Sequence, residues 1–249
     1  MLQTTDKKKI IMAYYEEYKK QYELDIIDIV PKAINDTAVM EIAYTDNDEL
    51  VNCIKQNIPV TFYYSKKLLK CSERYIKATL YHEFTHIKDC YNFVNVENST
   101  FLMSSYSEYN AKKIEFFLRC NEQQNIGLDC KICDEKGKIT PKQEIEQYLR
   151  FIIGVSNRKQ ASDFGDKVGI IVNSFVKYMF WMFAILSYYE FSEPKYFQSC
   201  FDRMDDGCRI FAKRLYQEVQ DIEKIKENPD ELAAVVLKLI MVCVLKEQV

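Results

Sequence analysis

The chain has 249 residues and only two histidines, His82 and His86, which lie four positions apart with Glu83 directly after the first. This is the pattern H-E-x-x-H, and residues four apart share one face of an α-helix. Two imidazoles on one face can bind a single Zn²⁺ while the glutamate reaches the water that the metal activates. The motif therefore predicts a helix carrying a zinc site. The alternative is a helix with two ordinary polar histidines.

Scarce glycine and proline make long uninterrupted helices the expected structure. The chain contains 6 glycines and 5 prolines, and its hydrophobic content of 48% is that of a globular protein. The length allows one large domain or two small ones. We therefore expect an α+β fold that is predominantly helical.

The sequence pattern of the N-terminal half predicts a small sheet followed by the motif helix. Residues 37–44 and 58–64 are rich in β-branched and aromatic side chains, and Pro59 places the second strand at a sheet edge. Ser72 can cap the motif helix, and a second helix is expected over about residues 105–118. An extended peptide could add to the edge strand by backbone hydrogen bonds.

The sequence pattern of the C-terminal half predicts four or five packed helices. Thr140, Pro141 and Gln143 form a helix-start pattern, and Asn228 before Pro229 repeats it. Residues 168–191 are apolar enough to suggest a membrane span. They also include the charged Lys177, which is costly in a bilayer, so a buried central helix is the preferred interpretation.

A catalytic zinc needs a third protein ligand and an open position for water. Because the chain has no third histidine, that ligand must be a carboxylate or a cysteine. Glu108, on the next predicted helix, is the best candidate. Glu115 lies one heptad later on nearly the same face and is the second candidate, and Glu97 is the third.

The motif and its surroundings resemble the gluzincin group of zinc metallopeptidases, and most of all the ImmA/IrrE-type peptidases of bacteria and phages. The matching segments are A-T-L at 78–80, H-E-F-T-H at 82–86 and E-Y-N-A at 108–111. The resemblance covers about residues 55–120. It implies that His82, His86 and Glu108 bind zinc and that Glu83 is the general base.

One residue departs from this family pattern. Family members often carry Asn or Asp directly after the alanine, where it can support a zinc-bound histidine, whereas this chain has Lys112. A supporting partner is then expected from elsewhere, with Asp89 and Asn110 as the candidates.

We expect a zincin-like metallopeptidase domain over residues 1–138 and a helical domain that packs on it over residues 139–249. The expected function is hydrolysis of peptide bonds in a protein or peptide substrate, with narrow specificity because the helical half limits access. The alternatives are a regulatory or binding protein on a zincin fold with little or no peptidase activity, and a zinc hydrolase that acts on other bonds.

The nine cysteines suggest a reducing environment. Their number is odd, several lie in apolar helical stretches, and the N-terminus has no apolar signal segment, which together favour the cytoplasm. Cys130 and Cys133 have the spacing of a zinc knuckle, with Cys120 as a possible third ligand, but free thiols in a loop are the preferred interpretation.

Charge argues against a nucleic-acid partner. The net charge is −3 and neither half is strongly basic. We expect neither a nucleic-acid partner nor a membrane partner.

Overall fold

A computed structural model describes residues 4–34, 43–44, 47–65, 67–96, 102, 105–123, 125–135, 137–157 and 167–245. Over these residues the chain is predominantly helical with two small sheets, an α+β structure as expected. It forms two compact units. The first comprises Met1–Met103, Asn110–Ile126 and Lys131–Ile139, and the second comprises Ser104–Tyr109, Gly127–Cys130 and Thr140–Val249.

The first unit contains a three-stranded sheet, three helices, most of a fourth helix and a short hairpin. In chain order these are α1 (Thr4–Gln21), β1 (Ile29–Ile34), β2 (Ala43–Tyr44), α2 (Asn47–Gln56), β3 (Val60–Ser65), a 3₁₀ turn (Leu68–Lys70), α3 (Glu73–Phe93), α4 (Tyr106–Arg119), β4 (Ile132–Asp134) and β5 (Gly137–Ile139).

The strand order of the sheet is β1-β3-β2. β3 pairs in parallel with β1 and antiparallel with β2, so it is the central strand of the described sheet. The prediction of an edge strand at residues 58–64 was therefore wrong. Pro59 lies just before the first paired residue, where a missing N–H costs the ladder nothing.

The outer strand β1 was not predicted. It carries Pro31 in its middle, opposite Phe62 of β3, and an edge position is where a strand tolerates proline. Of the strand predicted at residues 37–44, only Ala43–Tyr44 are described, and they form β2. Residues 37–42 lie outside the described residues.

The motif helix α3 begins as predicted. The Ser72 side chain accepts a hydrogen bond from the backbone N–H of Tyr75, which satisfies one of the N–H groups left open at a helix start. The helix then buries Phe84 completely, and its ring contacts those of Tyr15, Tyr18 and Phe62. Aromatic packing thus joins α3 to both α1 and β3.

The second unit consists of helices. They are α5 (Pro141–Ser156), α6 (Val168–Leu186), α7 (Pro194–Asp202), α8 (Asp206–Glu218), α9 (Ile222–Glu227), α10 (Pro229–Ile240) and a π-helical turn (Met241–Leu245). The described part of this unit therefore has six α-helices rather than four or five. α5 packs along α6, and α8 packs along α10.

The two predicted helix starts have different outcomes. Thr140 and Gln143 form the reciprocal capping box, with Pro141 in the first turn. Pro229 also opens α10, but the side chain of Asn228 makes no capping hydrogen bond. The Asn228 cap was therefore wrong, while the helix start was right.

Helix α6 is buried only in its C-terminal half. Buried side chains begin at Phe175, whereas Ile170 is 68% exposed. Among the described helices it alone is long and apolar enough to cross a membrane, a test that the core helix of a globular protein also passes. It ends at Leu186, before the exposed Phe191.

Truncating Phe84 should destabilise the first unit strongly. Phe84→Ala removes a fully buried ring that contacts two elements, and such changes cost about 3–5 kcal/mol of unfolding free energy. Val30→Ala, on the half-exposed face of β1, should cost less than about 0.5 kcal/mol. Urea unfolding followed by circular dichroism measures both, and similar losses for the two variants would contradict the packing described here.

Candidate metal centre

Helix α3 brings its two histidines together on one buried face. His82 and His86 are 6% and 7% exposed, and their ring centroids lie 5.0 Å apart. This is the geometry that a four-residue spacing on a helix produces. Glu83 lies one position further round the helix and is half-buried.

Helix α4 adds a carboxylate to the two imidazoles. Glu108 is in its first turn, and the ligand atoms of His82, His86 and Glu108 all lie within 4.8 Å of one another. Among the described residues this is the one group of three or more such side chains close enough to bind a single metal ion. Glu97 lies outside the described residues.

The three residues fit a zinc ion. Two imidazole nitrogens and one carboxylate oxygen are a donor set that zinc accepts, and three protein donors leave one of four coordination positions for water or substrate. Other divalent transition metals also bind such a set, and the geometry alone does not select among them.

Glu115, the second candidate for the third ligand, lies against a histidine instead. Its Oε2 is 3.0 Å from Nδ1 of His82. Its Oε1 is 2.9 Å from Nζ of Lys112 and 3.0 Å from a guanidinium nitrogen of Arg119. The carboxylate therefore bridges a histidine on α3 and two cations on its own helix.

These neighbours keep Glu115 ionised. Burial alone would raise the pKa of its carboxyl group, but Lys112, His82 and Arg119 lower that pKa well below its usual range. An ionised carboxylate only accepts hydrogen bonds, so its approach to Nδ1 favours the tautomer of His82 that carries the proton on that nitrogen. The lone pair of that ring is then on Nε2, which is the nitrogen left to bind a metal.

The Lys112 departure from the family pattern thus has a physical explanation. Lys112 is almost completely buried, and its ammonium helps to hold Glu115. Asp89 and Asn110, the residues expected to support a zinc-bound histidine, are hydrogen-bonded to each other. Nδ2 of Asn110 donates to both carboxylate oxygens of Asp89 at 2.9 and 3.0 Å. This pair links α3 and α4 between one and two turns from the contact of Glu115 with His82.

Glu108 also contacts two residues of α6. Trp181 donates a hydrogen bond from Nε1 to Oε2 at 2.8 Å, and Nζ of Lys177 lies 3.0 Å from Oε1. Sequence reasoning assigned neither residue to the site, because the contact joins positions more than 60 residues apart. The only signal was a lysine within an otherwise apolar stretch.

The cysteines do not form a second metal group within the described residues. Cys133 lies on β4, where its thiol contacts the backbone carbonyl oxygen of Arg119. Burial raises the pKa of that thiol, which disfavours the thiolate form that binds metals. Cys130 is exposed and Cys120 is buried, and all nine cysteines are free thiols.

No protein-family model, no curated protein and no solved structure matches this chain. The resemblance to gluzincins therefore depends on the sequence motif, and the convergence of its residues is a property of the fold described here.

The purified protein should hold about one zinc ion per chain. His82→Ala or His86→Ala should abolish tight binding, because each removes a donor. Glu108→Ala should weaken it more than about 100-fold, beyond the loss typical of a residue that only supports a ligand. Metal analysis by mass spectrometry measures the zinc content, and chelator competition measures the zinc affinity. Stoichiometric zinc in the double histidine variant would place the site elsewhere.

Replacing Glu115 should weaken zinc binding without removing a ligand. Glu115→Gln keeps the size of the side chain but loses the charge that holds the His82 proton on Nδ1, and such changes cost about 10- to 100-fold in affinity. Glu16→Gln, at an exposed position on α1, is the matched control and should leave affinity unchanged. Equal zinc affinity in the two variants would show that Glu115 does not orient His82.

Proposed function

We propose that this chain is a zinc-dependent metallopeptidase of the gluzincin type, with His82, His86 and Glu108 as zinc ligands. The observation that supports this most is the convergence of three donors, from two helices, beside the glutamate of an H-E-x-x-H helix. In this proposal, residues 1–138 form the zincin-like domain and residues 139–249 form the helical domain.

A zinc ion held by these residues supplies a Lewis acid and makes water a nucleophile near neutral pH. Glu83 takes the proton of the attacking water as the oxygen bonds to the scissile carbonyl carbon. It then gives that proton to the amine that leaves when the C–N bond breaks. Its position next to His82 on the same helix supports this role, since the base must lie beside the ligands.

The histidines need a fixed orientation for this chemistry. Glu115 holds the proton of His82 on Nδ1, so the ring does not have to change tautomer before it binds a metal. Lys112 and Arg119 hold Glu115 in turn. A ligand held in this way costs less reorganisation when the site is loaded.

A protein or peptide substrate fits the small sheet of the first unit. β3 is paired on both sides, so an extended segment would add to an outer strand of the described sheet, β1 or β2. β1 is the longer of the two and pairs along all six of its residues with β3, so within the described sheet its other edge can accept a substrate strand. The outer edge of β1 thus takes the place of the substrate-binding edge expected at residues 58–64.

We place the protein in the cytoplasm, without a nucleic-acid or membrane partner. The nine free thiols and the net charge of −3 support this proposal.

The Glu83→Gln variant tests whether the chain is a peptidase or a binding protein with the same fold. The amide cannot accept a proton, so hydrolysis should fall by about 10²–10⁴-fold while zinc content and folding stay unchanged. Cleavage of casein or of the chain itself, followed by gel electrophoresis and mass spectrometry, measures the activity.

Glu49→Gln, on α2, is the matched control and should keep full activity. Cleavage by Glu83→Gln at the rate of the unaltered chain would exclude Glu83 as the base. A zinc-loaded unaltered chain that cleaves no peptide in these tests would favour the regulatory alternative.

A further inference from the structure

Both carboxylate oxygens of Glu108 are occupied by α6. Lys177 pairs with Oε1 and Trp181 donates to Oε2. Lys177 and Trp181 are four residues apart on α6, and Nζ of Lys177 also lies over the Trp181 ring, 4.8 Å from its centroid. The carboxylate, the ammonium and the indole therefore form one connected cluster.

The two contacts differ in their effect on a metal ion. The Trp181 N–H is neutral, so it orients the carboxylate and leaves its charge available. The Lys177 ammonium is a full positive charge within ion-pair distance of the same carboxylate. It compensates the negative charge that a metal would use, and it repels a second cation nearby.

Burial makes this competition effective. The Glu108 side chain is 13% exposed, so water screens the pair less than it would on an open surface. The Lys177 side chain is 33% exposed and has a long flexible stem. The ammonium can therefore move away into solvent when another cation takes its place.

We propose that Lys177 competes with the metal ion for Glu108, while Trp181 holds the carboxylate in position for either cation. This rests on the zinc site proposed above and adds two residues of α6 to it as positioning residues. It implies that the site binds zinc less tightly than its three donors allow.

A purely structural role for the ion pair makes a different prediction. If Lys177 and Glu108 only stabilise packing, removing the ammonium lowers stability and leaves zinc affinity unchanged. If Lys177 competes with zinc, its removal tightens zinc binding. The sign of the change in zinc affinity therefore separates the two roles.

The test uses the full chain stripped of metal, with Zn²⁺ alone as the probe and a chromophoric chelator as competitor. Lys177→Met keeps an apolar stem of similar length on the Trp181 ring but removes the charge. It should bind zinc about tenfold more tightly than the unaltered chain. Lys177→Arg retains the charge and should stay within about threefold of the unaltered chain.

Trp181→Phe should change affinity in the opposite direction. It keeps an aromatic ring but loses the N–H that orients Glu108, so zinc binding should weaken about 10-fold or more. Lys213→Met is the matched control, because Lys213 lies over the Phe201 ring in the same unit. That variant should show the zinc affinity of the unaltered chain.

A second measurement needs no substitution on α6. Trp181 is the only tryptophan of the chain and bonds directly to Glu108, so zinc binding should change its fluorescence. The change should follow the zinc titration of the unaltered chain and be absent from His82→Ala. Emission that stays constant while zinc binds stoichiometrically would contradict the coupling of Trp181 to the site.

The outcomes distinguish failure of this proposal from failure of the site. If the unaltered chain and His82→Ala bind zinc equally, the zinc site itself is wrong. If His82→Ala loses zinc but Lys177→Met binds it with unchanged or weaker affinity, the site stands and competition by Lys177 is excluded.

Discussion

The pairing of Glu115 with His82 is the contact on which the arrangement of the site depends. A buried carboxylate is costly unless it is fully paired, and here one histidine and two cations pair it. The contact fixes the position of α4 along the axis of α3. Because a helix rises about 1.5 Å per residue, a fixed axial position also determines which residue of α4, two turns before Glu115, lies beside the histidines. That residue is Glu108.

The Asp89–Asn110 pair is a second contact that fixes the alignment of α4 with α3. It joins α3 and α4 between the levels of Glu108 and Glu115, with a side-chain amide donating to both oxygens of a completely buried carboxylate. Two polar contacts at different heights restrict sliding and rotation of one helix against the other, which apolar packing alone does not. Residues outside the candidate metal group thus determine where its three side chains lie.

Glu108 has a different environment from the two histidines. The histidines lie on a helix anchored by aromatic packing around Phe84, and one of them is held by a carboxylate. Glu108 is held by a tryptophan and a lysine from α6. A catalytic zinc site needs donors that are oriented but not already satisfied by another cation. In the competition proposed above, Lys177 makes metal affinity an adjustable property, separate from the identity of the ligands.

The sequence alone determined the features that depend on residues within one or two helical turns. The four-residue spacing placed His82 and His86 on one face, and the caps at Ser72 and Thr140 set where two helices begin. Such features follow from the helical period and from backbone groups left open at helix ends. Glu108 was also proposed from the sequence, from its place on the next predicted helix and from the resemblance to gluzincins.

Only the tertiary structure decided the contacts between distant segments. The sequence offered Glu115 as a rival ligand, and packing placed it behind His82 instead. Pro59 suggested an edge strand, yet pairing with β1 and β2 made β3 central. The contact of Lys177 with Glu108 crosses 69 positions of the chain. No local pattern encodes such pairings, because they depend on how whole helices and strands pack to bury their apolar faces.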